Sequence, residues 1–143
     1  MNKPQSLRRA LNKAVPYVRD NPDKLHLFVD NGSLVATGAG SISWEYRYTL
    51  NVVIEDFSGN QNLLMAPVLL WLADNQPDAI HNPELREKLL TFDVDILRND
   101  VSDISLNLLL TERVVVSTEG GVSSVEAVPE PAEPDEMWTV KRG

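Results

Sequence analysis

Six acidic side chains are the best candidates for chemistry in this sequence: Glu55, Asp56, Asp93, Asp95, Asp100 and Asp103. If they converged, their oxygens could hold a magnesium ion, as in metal-dependent nucleases. Asp93 and Asp95 alternate with apolar residues, however, so both belong to the polar face of a strand. No lysine lies within four residues of these acids in sequence to complete a nuclease site. The nuclease is therefore kept only as an alternative, and we predict no catalytic or metal-binding residue.

Residue types needed for other common chemistries are scarce. The chain has no cysteine, which excludes disulfides and thiolate metal sites and fits a reducing cytoplasm. His26 and His81 are its only imidazoles, and His26 alternates with core residues, as a surface or edge residue does. The sequence contains neither a phosphate-binding glycine loop nor a Gly-x-Ser-x-Gly elbow. We therefore expect no cofactor and no enzymatic activity.

Charge argues against binding to nucleic acid or an acidic membrane by bulk electrostatics, since the formal net charge is −8. The first twenty residues carry five basic side chains against Asp20 alone, whereas residues 117–143 carry six acids against two bases. The chain is thus basic at its start and acidic at its end. A hydrophobic content of 43% in 143 residues is typical of one ordinary globular domain, and no targeting or transmembrane segment is visible.

One apolar run stands out, LLMAPVLLWLA at residues 63–73. At about 11 residues it falls short of the ~20 that span a bilayer, so protein must cover it. Unbranched helix formers and the stop signal at Asn75 and Pro77 favour a helix, which Pro67 either opens or kinks. A helix apolar nearly all round has no solvent face. A sheet can cover one side, and the other side needs a second helix or another subunit.

The apolar spacing from Leu7 to Val18 predicts a first helix, which Pro16 bends or shortens. Arg8, Arg9 and Lys13 fall on its remaining surface. They are either simply solvated or, as we predict, the electrostatic part of an interface with an acidic partner.

Strand patterns dominate the rest of the domain. Residues 25–29 alternate, and Asn31-Gly32 predicts a tight hairpin turn, with a bend or bulge at residues 38–40. Residues 42–54 then form one long amphipathic strand, which either overhangs the body or stays within a large sheet. At its aromatic end we predict interface contacts by Trp44, Tyr46, Arg47 and Tyr48.

A short helix around residues 83–88, alternating residues from Phe92, a turn at residues 98–100 and a last core strand complete the pattern. We predict a two-layer α+β sandwich, a mostly antiparallel sheet of four to five strands with two main helices on one face. The domain spans residues 1–116.

Residues 117–143 form an acidic, proline-rich arm by composition. Met137-Trp138-Thr139-Val140 restores a β-prone apolar patch near its end, typical of an arm that adds a strand to another chain. Met137, Trp138 and Val140 are therefore predicted interface residues, the alternative being a disordered end with a stray tryptophan.

Several stretches together resemble the phage tail completion protein R (GpR) family of contractile-tailed temperate phages. The likeness spans about residues 3–116, and its order and spacing are specific although no single motif is chemically diagnostic. The stretches are Lys3–Leu11, Phe28–Ser33, Arg47–Val52, Asp56–Gly59, Pro67–Leu72, Asn75–Asp78 and Leu110–Arg113.

The resemblance implies a structural virion protein at the head-proximal end of the tail, assembled in the bacterial cytoplasm. Such a protein would cap the tail tube and sheath as a ring, of six copies as in related tail terminators, and form the joint with the neck or connector protein. Six copies would carry six times −8, or −48, and an acidic lumen would let DNA pass without sticking. The alternatives are a neck or head-closure protein, a packaging nuclease, or a monomeric binding module.

Overall fold

Helices and strands follow one another in the predicted order, with additional short helices. The computed structural model describes residues 1–36, 42–119 and 122–130, with the backbone alone at 118, 119 and 122–124. Its helices are α1 (Lys3–Ala14), α2 (Pro16–Asp20), a 3₁₀ turn (Pro22–Lys24), α3 (Asn62–Asn75), α4 (Pro77–His81) and α5 (Pro83–Leu89). Its strands are β1 (Leu25–Ala36), β2 (Ser43–Ser58), β3 (Leu90–Arg98), β4 (Val101–Glu119) and β5 (Val122–Val128). The predicted α+β class is confirmed.

The five strands form one antiparallel sheet in the order β1-β2-β4-β3. Strand β5 pairs with the far end of β4, on the same edge as β3 but further along. A gap at residues 109–112 of β4 separates β3 from β5 on that edge. The sheet therefore has β1 at one margin and β3 with β5 at the other.

The core lies between the centre of the sheet and the helices. On β2 and β4 the even-numbered residues face the helices, and Leu50, Val52, Ile54, Leu106 and Leu108 are all fully buried. Alternation places polar residues such as Asn51 and Asn107 on the opposite face. We call these two sides the helix-side face and the outer face.

Helices α1 and α3 pack against each other over this core, using Leu7 and Leu11 from α1 and Leu64 and Val68 from α3. Pro16 ends α1 and opens α2, since a proline suits a first helical turn and lacks the donor that an interior position needs. Pro67, in contrast, lies inside α3. No helix in the described part of the chain is long and apolar enough to cross a membrane.

The prediction of a tight turn at Asn31-Gly32 is wrong. Strand β1 continues to Ala36, and the register shifts between Asp30 and Ser33 instead. Asn31 has a φ of 53°, a left-handed conformation that asparagine tolerates in turns and in bulges alike. The signal was therefore correct for the left-handed conformation of Asn31, but this residue lies in a bulge and not in a hairpin turn. The bend predicted at residues 38–40 lies outside the described residues.

The predicted boundary at residue 116 falls inside a strand. Strand β4 runs to Glu119, and β5 pairs back along it from Val122 to Val128. The first part of the acidic segment thus belongs to the sheet. Residues 131–143, with the predicted interface residues Met137, Trp138 and Val140, lie outside the described residues.

Candidate assembly surfaces

Helix α3 leaves one apolar stripe uncovered. Leu64, Val68, Trp71 and Leu72 face the core, whereas Leu63 and Leu70, on the opposite side of the helix, are 67% and 70% exposed. Helix α1 therefore does not cover the remainder of α3. A stripe of this kind on a protein surface typically marks a contact with another protein.

Both edge strands also carry exposed apolar residues on the helix-side face. On β3 these are Phe92 and Ile96, which lie level with the buried residues Leu106 and Ser102 of β4. On β1 they are Val29 and Leu34. The helix layer covers the centre of the sheet and leaves its two margins open.

The aromatic end of β2 stays within the sheet and does not project as a separate hairpin. Trp44 pairs with Ala36 of β1 on one side and with Val114 of β4 on the other. The rings of Trp44 and Tyr46 meet edge to face, with centroids 6.0 Å apart, and both side chains are half-buried. Burial increases from this end towards the middle of the strand, so Trp44 and Tyr46 lie at the border of the core.

Arg47 and Tyr48 occupy different environments. Arg47 is exposed on the outer face, where its Nε donates a 2.7 Å hydrogen bond to Glu45. Tyr48 is only 4% exposed and belongs to the core. Its burial leaves no ring surface for a partner, so the aromatic contacts predicted for this strand are reduced to Trp44 and Tyr46.

The predicted basic residues all lie on α1. Arg9 and Lys13 are exposed, and Arg8 is half-buried. None of the three has an ion pair within the described residues. Their contact with an acidic partner stays a prediction.

A buried carboxylate joins the sheet to the start of α1. Glu112 accepts hydrogen bonds from the backbone N–H groups of Asn2 and Lys3, at 2.7 Å and 3.3 Å. Its Oε2 also accepts a 2.6 Å hydrogen bond from the Tyr48 hydroxyl. A negative charge at this end of a helix is stabilised both by free N–H groups and by the helix dipole. Glu112 thus fixes α1 to the middle of the sheet.

The Lys3 side chain closes the gap that separates β3 from β5. Its ammonium donates to the Gln76 amide oxygen at 2.8 Å, to the Thr111 carbonyl at 2.7 Å and to Glu130 at 3.2 Å. Gln76 in turn accepts from the Thr111 N–H and donates to the Thr111 hydroxyl. The backbone of β4 is therefore satisfied by side chains where it has no neighbouring strand. We call Lys3, Tyr48, Gln76, Thr111 and Glu112 the buried polar cluster.

Burial raises the pKa of Tyr48 far above its ordinary value, and the hydrogen bond to Glu112 adds to the effect. Sequence reasoning gave the cluster no role. A signal was present, however, because the cluster residues fall in four of the stretches that carry the family resemblance: Lys3–Leu11, Arg47–Val52, Asn75–Asp78 and Leu110–Arg113. Only the fold brings those stretches together, so spacing alone could not reveal the contacts.

The six acidic candidates do not form a metal site. In the described parts of the chain, no three carboxylate or imidazole side chains are grouped so that they could hold a metal ion. Asp56 instead pairs with Lys24 at 3.1 Å, and its N–H donates to Asp103. Glu55 contacts His26 at 2.8 Å. These acids and their partners make structural contacts around the bulge near the end of β2.

The large apolar surfaces at the sheet margins and on α3 are typical of a subunit that contacts other proteins. The model of the P2 phage tail completion protein R (GpR) family matches residues 1–131. Tail completion protein R of Escherichia phage P2 is 50% identical over 135 residues, which cover 94% of this chain and 87% of that protein. No solved structure matches the chain. The chain therefore belongs to the P2 phage tail completion protein R (GpR) family, and the resemblance predicted from the sequence is confirmed.

Proposed function

We propose that this protein is a structural, non-enzymatic component of a contractile phage tail that completes the tail by capping its tube and sheath as a ring of six copies. One face of the ring stops polymerisation of the tube. The other face forms the joint to the neck or connector protein at the head-proximal end. The family to which the chain belongs and its 50% identity to a tail completion protein support this role.

The distribution of apolar surface is the structural observation that supports a ring. A ring is built from heterologous contacts, so each subunit needs two different contact surfaces. This chain exposes apolar residues at both opposite margins of its sheet, on β1 and on β3. Burying one large apolar side chain contributes about 1.5–3 kcal/mol, so a few such residues on each margin could supply much of a subunit contact.

Other surfaces are then free for the remaining partners. The exposed stripe of α3 and the basic surface of α1 lie on the helix layer. We assign Arg9 and Lys13, with Arg8, to an acidic surface of the neighbouring tail or neck protein. The net charge of −8 per chain supports a lumen through which DNA slides without binding.

Electron microscopy of particles that lack this protein tests the proposal. Without a cap, tube polymerisation continues and heads do not join, so over-long or headless tails are expected. Restoring the wild-type chain from a plasmid should return tails to normal length. Normal tails beside unjoined heads would contradict tail capping and point to a head-closure protein, and magnesium-dependent DNA cleavage by the purified chain would point to a nuclease.

A further inference from the structure

We propose that the subunits of the ring join edge to edge, with β3 of one copy pairing antiparallel to β1 of the next, so that one sheet continues around the ring. This inference rests on the proposed ring and names the two surfaces that would form it. The occupant of each open edge is a second copy of this chain.

Both edges have free backbone groups. Within the described residues, β1 pairs only with β2, and β3 pairs only with β4. Each strand therefore presents a row of N–H and C=O groups that a further strand can bind. Exposed edges of this length are usually protected by charge, proline or a covering element. On the helix-side face these two present apolar side chains, and the charges of β3, Asp93 and Asp95, lie on its outer face.

Strand directions allow the pairing in a ring. The four strands β1, β2, β4 and β3 alternate in direction, so β1 and β3 run opposite ways. Copies related by a rotation that preserves strand direction would place β1 of one beside β3 of the next in antiparallel orientation. An odd number of strands would have given a parallel contact. The same contact can then repeat from copy to copy and close the ring.

Side-chain faces also match. On the helix-side face, β1 carries Leu27, Val29 and Leu34, and β3 carries Phe92, Val94 and Ile96. The observed register sets Leu27 and Phe92 in one row across the sheet, through Val52 and Leu106. Pairing the edges would set these two groups of apolar side chains side by side and cover part of Phe92, now 59% exposed, and of Ile96, now 74% exposed. A pairing with the opposite face would instead set Phe92 and Ile96 beside the outer face of β1, where Phe28 is flanked by His26 and Asp30.

On the outer face, the same strand pairing would place an imidazole beside a row of acids. His26 lies level with Asp93, through Val53 and Ser105, and Asp95 follows two residues along β3. Strands tilt in a closed sheet, which staggers neighbouring copies. The stagger must be an even number of residues, because an odd one would exchange the two faces. The proposed pairing has a stagger of at most two residues, so Thr91, Asp93 and Asp95 are the positions that face His26 of the next copy.

Disulfide cross-linking in phage particles tests the inference directly, since the natural chain has no cysteine. His26→Cys is combined in turn with Thr91→Cys, Asp93→Cys or Asp95→Cys, and particles completed by each chain are oxidised and run on a non-reducing gel. Within one copy these positions are separated by three strand spacings, about 14 Å, whereas a disulfide requires Cα atoms within about 7 Å. Any bond must therefore join two copies.

The expected result is a ladder of covalent oligomers that ends at six chains for one of the three pairs, at least tenfold above the control. The matched control is His26→Cys with Glu87→Cys, which puts an exposed cysteine on α5, outside both edge strands. Should His26→Cys fail to complete tails, the same scan starts from Phe28, also on the outer face of β1.

Complete tails in which every pair stays monomeric would overturn edge pairing and leave the ring of the proposed function intact. Failure of the ring itself has a different signature. Wild-type tails that carry no six-fold density for this protein in electron micrographs would contradict the proposed function, whatever the gel shows.

Discussion

One row of residues across the sheet runs from its buried centre to its exposed margin. Val52 and Leu106, at the centre, are fully buried, whereas Phe92, the next residue in the same row and on the same face, is 59% exposed. The three residues are equally apolar, and only the reach of the helix layer separates them. The centre of the sheet therefore stabilises the fold, and the margins remain free for contacts with other chains.

The largest difference between the centre and the margin of the sheet should be in stability. Leu106→Ala removes a fully buried side chain and leaves a cavity, so we expect it to lower the free energy of unfolding by about 2–5 kcal/mol. Phe92→Ala, in the same row, should lower it by less than about 1 kcal/mol, because its ring is largely exposed in the free subunit. Urea unfolding of both variants measures the difference. Equal losses would show that the margin belongs to the core.

Disrupting the buried polar cluster should have the next largest effect on stability. Glu112→Ala removes the acceptor for the Asn2 and Lys3 N–H groups and the Tyr48 hydroxyl, so buried donors lose their partner. Each unsatisfied group typically costs about 1–3 kcal/mol. We therefore expect Glu112→Ala to lower the free energy of unfolding by at least about 1–3 kcal/mol. Urea unfolding measures this loss.

Glu87→Ala, on exposed α5, is the matched control and should stay within about 0.5 kcal/mol of wild type. If the two variants unfold alike, the cluster does not fix α1 to the sheet.

Alkaline pH tests the same cluster with a smaller effect. Because the pKa of Tyr48 is raised in the folded chain, the unfolded chain loses this proton first as the pH rises past about 10. The folded state then binds more protons, so stability falls by up to about 1.4 kcal/mol per pH unit from this group. Tyr48→Phe should remove that part of the slope.

Urea unfolding between pH 9 and 11 measures the slope. A residual slope is expected from Tyr17, whose pKa burial also raises. An unchanged slope in Tyr48→Phe would mean that this hydroxyl is not held protonated by the fold.

Much of the fold could be predicted from periodicity. The alternation along β2 and β4 gave the class, the sheet and the buried face, and Pro16 marked the end of α1. The hairpin turn predicted at Asn31-Gly32 was wrong, because a left-handed residue such as Asn31 occurs both in hairpin turns and in bulges. Similarly, β5 lies in a stretch whose proline and acid content indicated a linker, and its pairing with β4 is a non-local contact.

The candidate surfaces were harder to predict than the fold. The apolar run at residues 63–73 was correctly identified as a helix in need of cover, but local sequence does not say how far α1 extends over it. Tyr48 shares the alternation of Trp44 and Tyr46, and only the position of the helix layer buries it. A pattern thus shows which residues share a face, and the three-dimensional packing decides which part of the face stays open.

The open margins should serve assembly and contribute little to the stability of the fold. Ile96→Asp places a charge on the β3 edge, and Leu85→Asp is a matched exposed change on α5. Both chains should unfold within about 0.5 kcal/mol of wild type, since neither side chain is buried. Each is then supplied to a phage that lacks the protein, and the fraction of normal-length, head-joined tails is counted by electron microscopy. We predict that Ile96→Asp alone lowers this fraction at least tenfold. A stable Ile96→Asp chain that completes tails as well as wild type would contradict a role of the sheet margins in assembly.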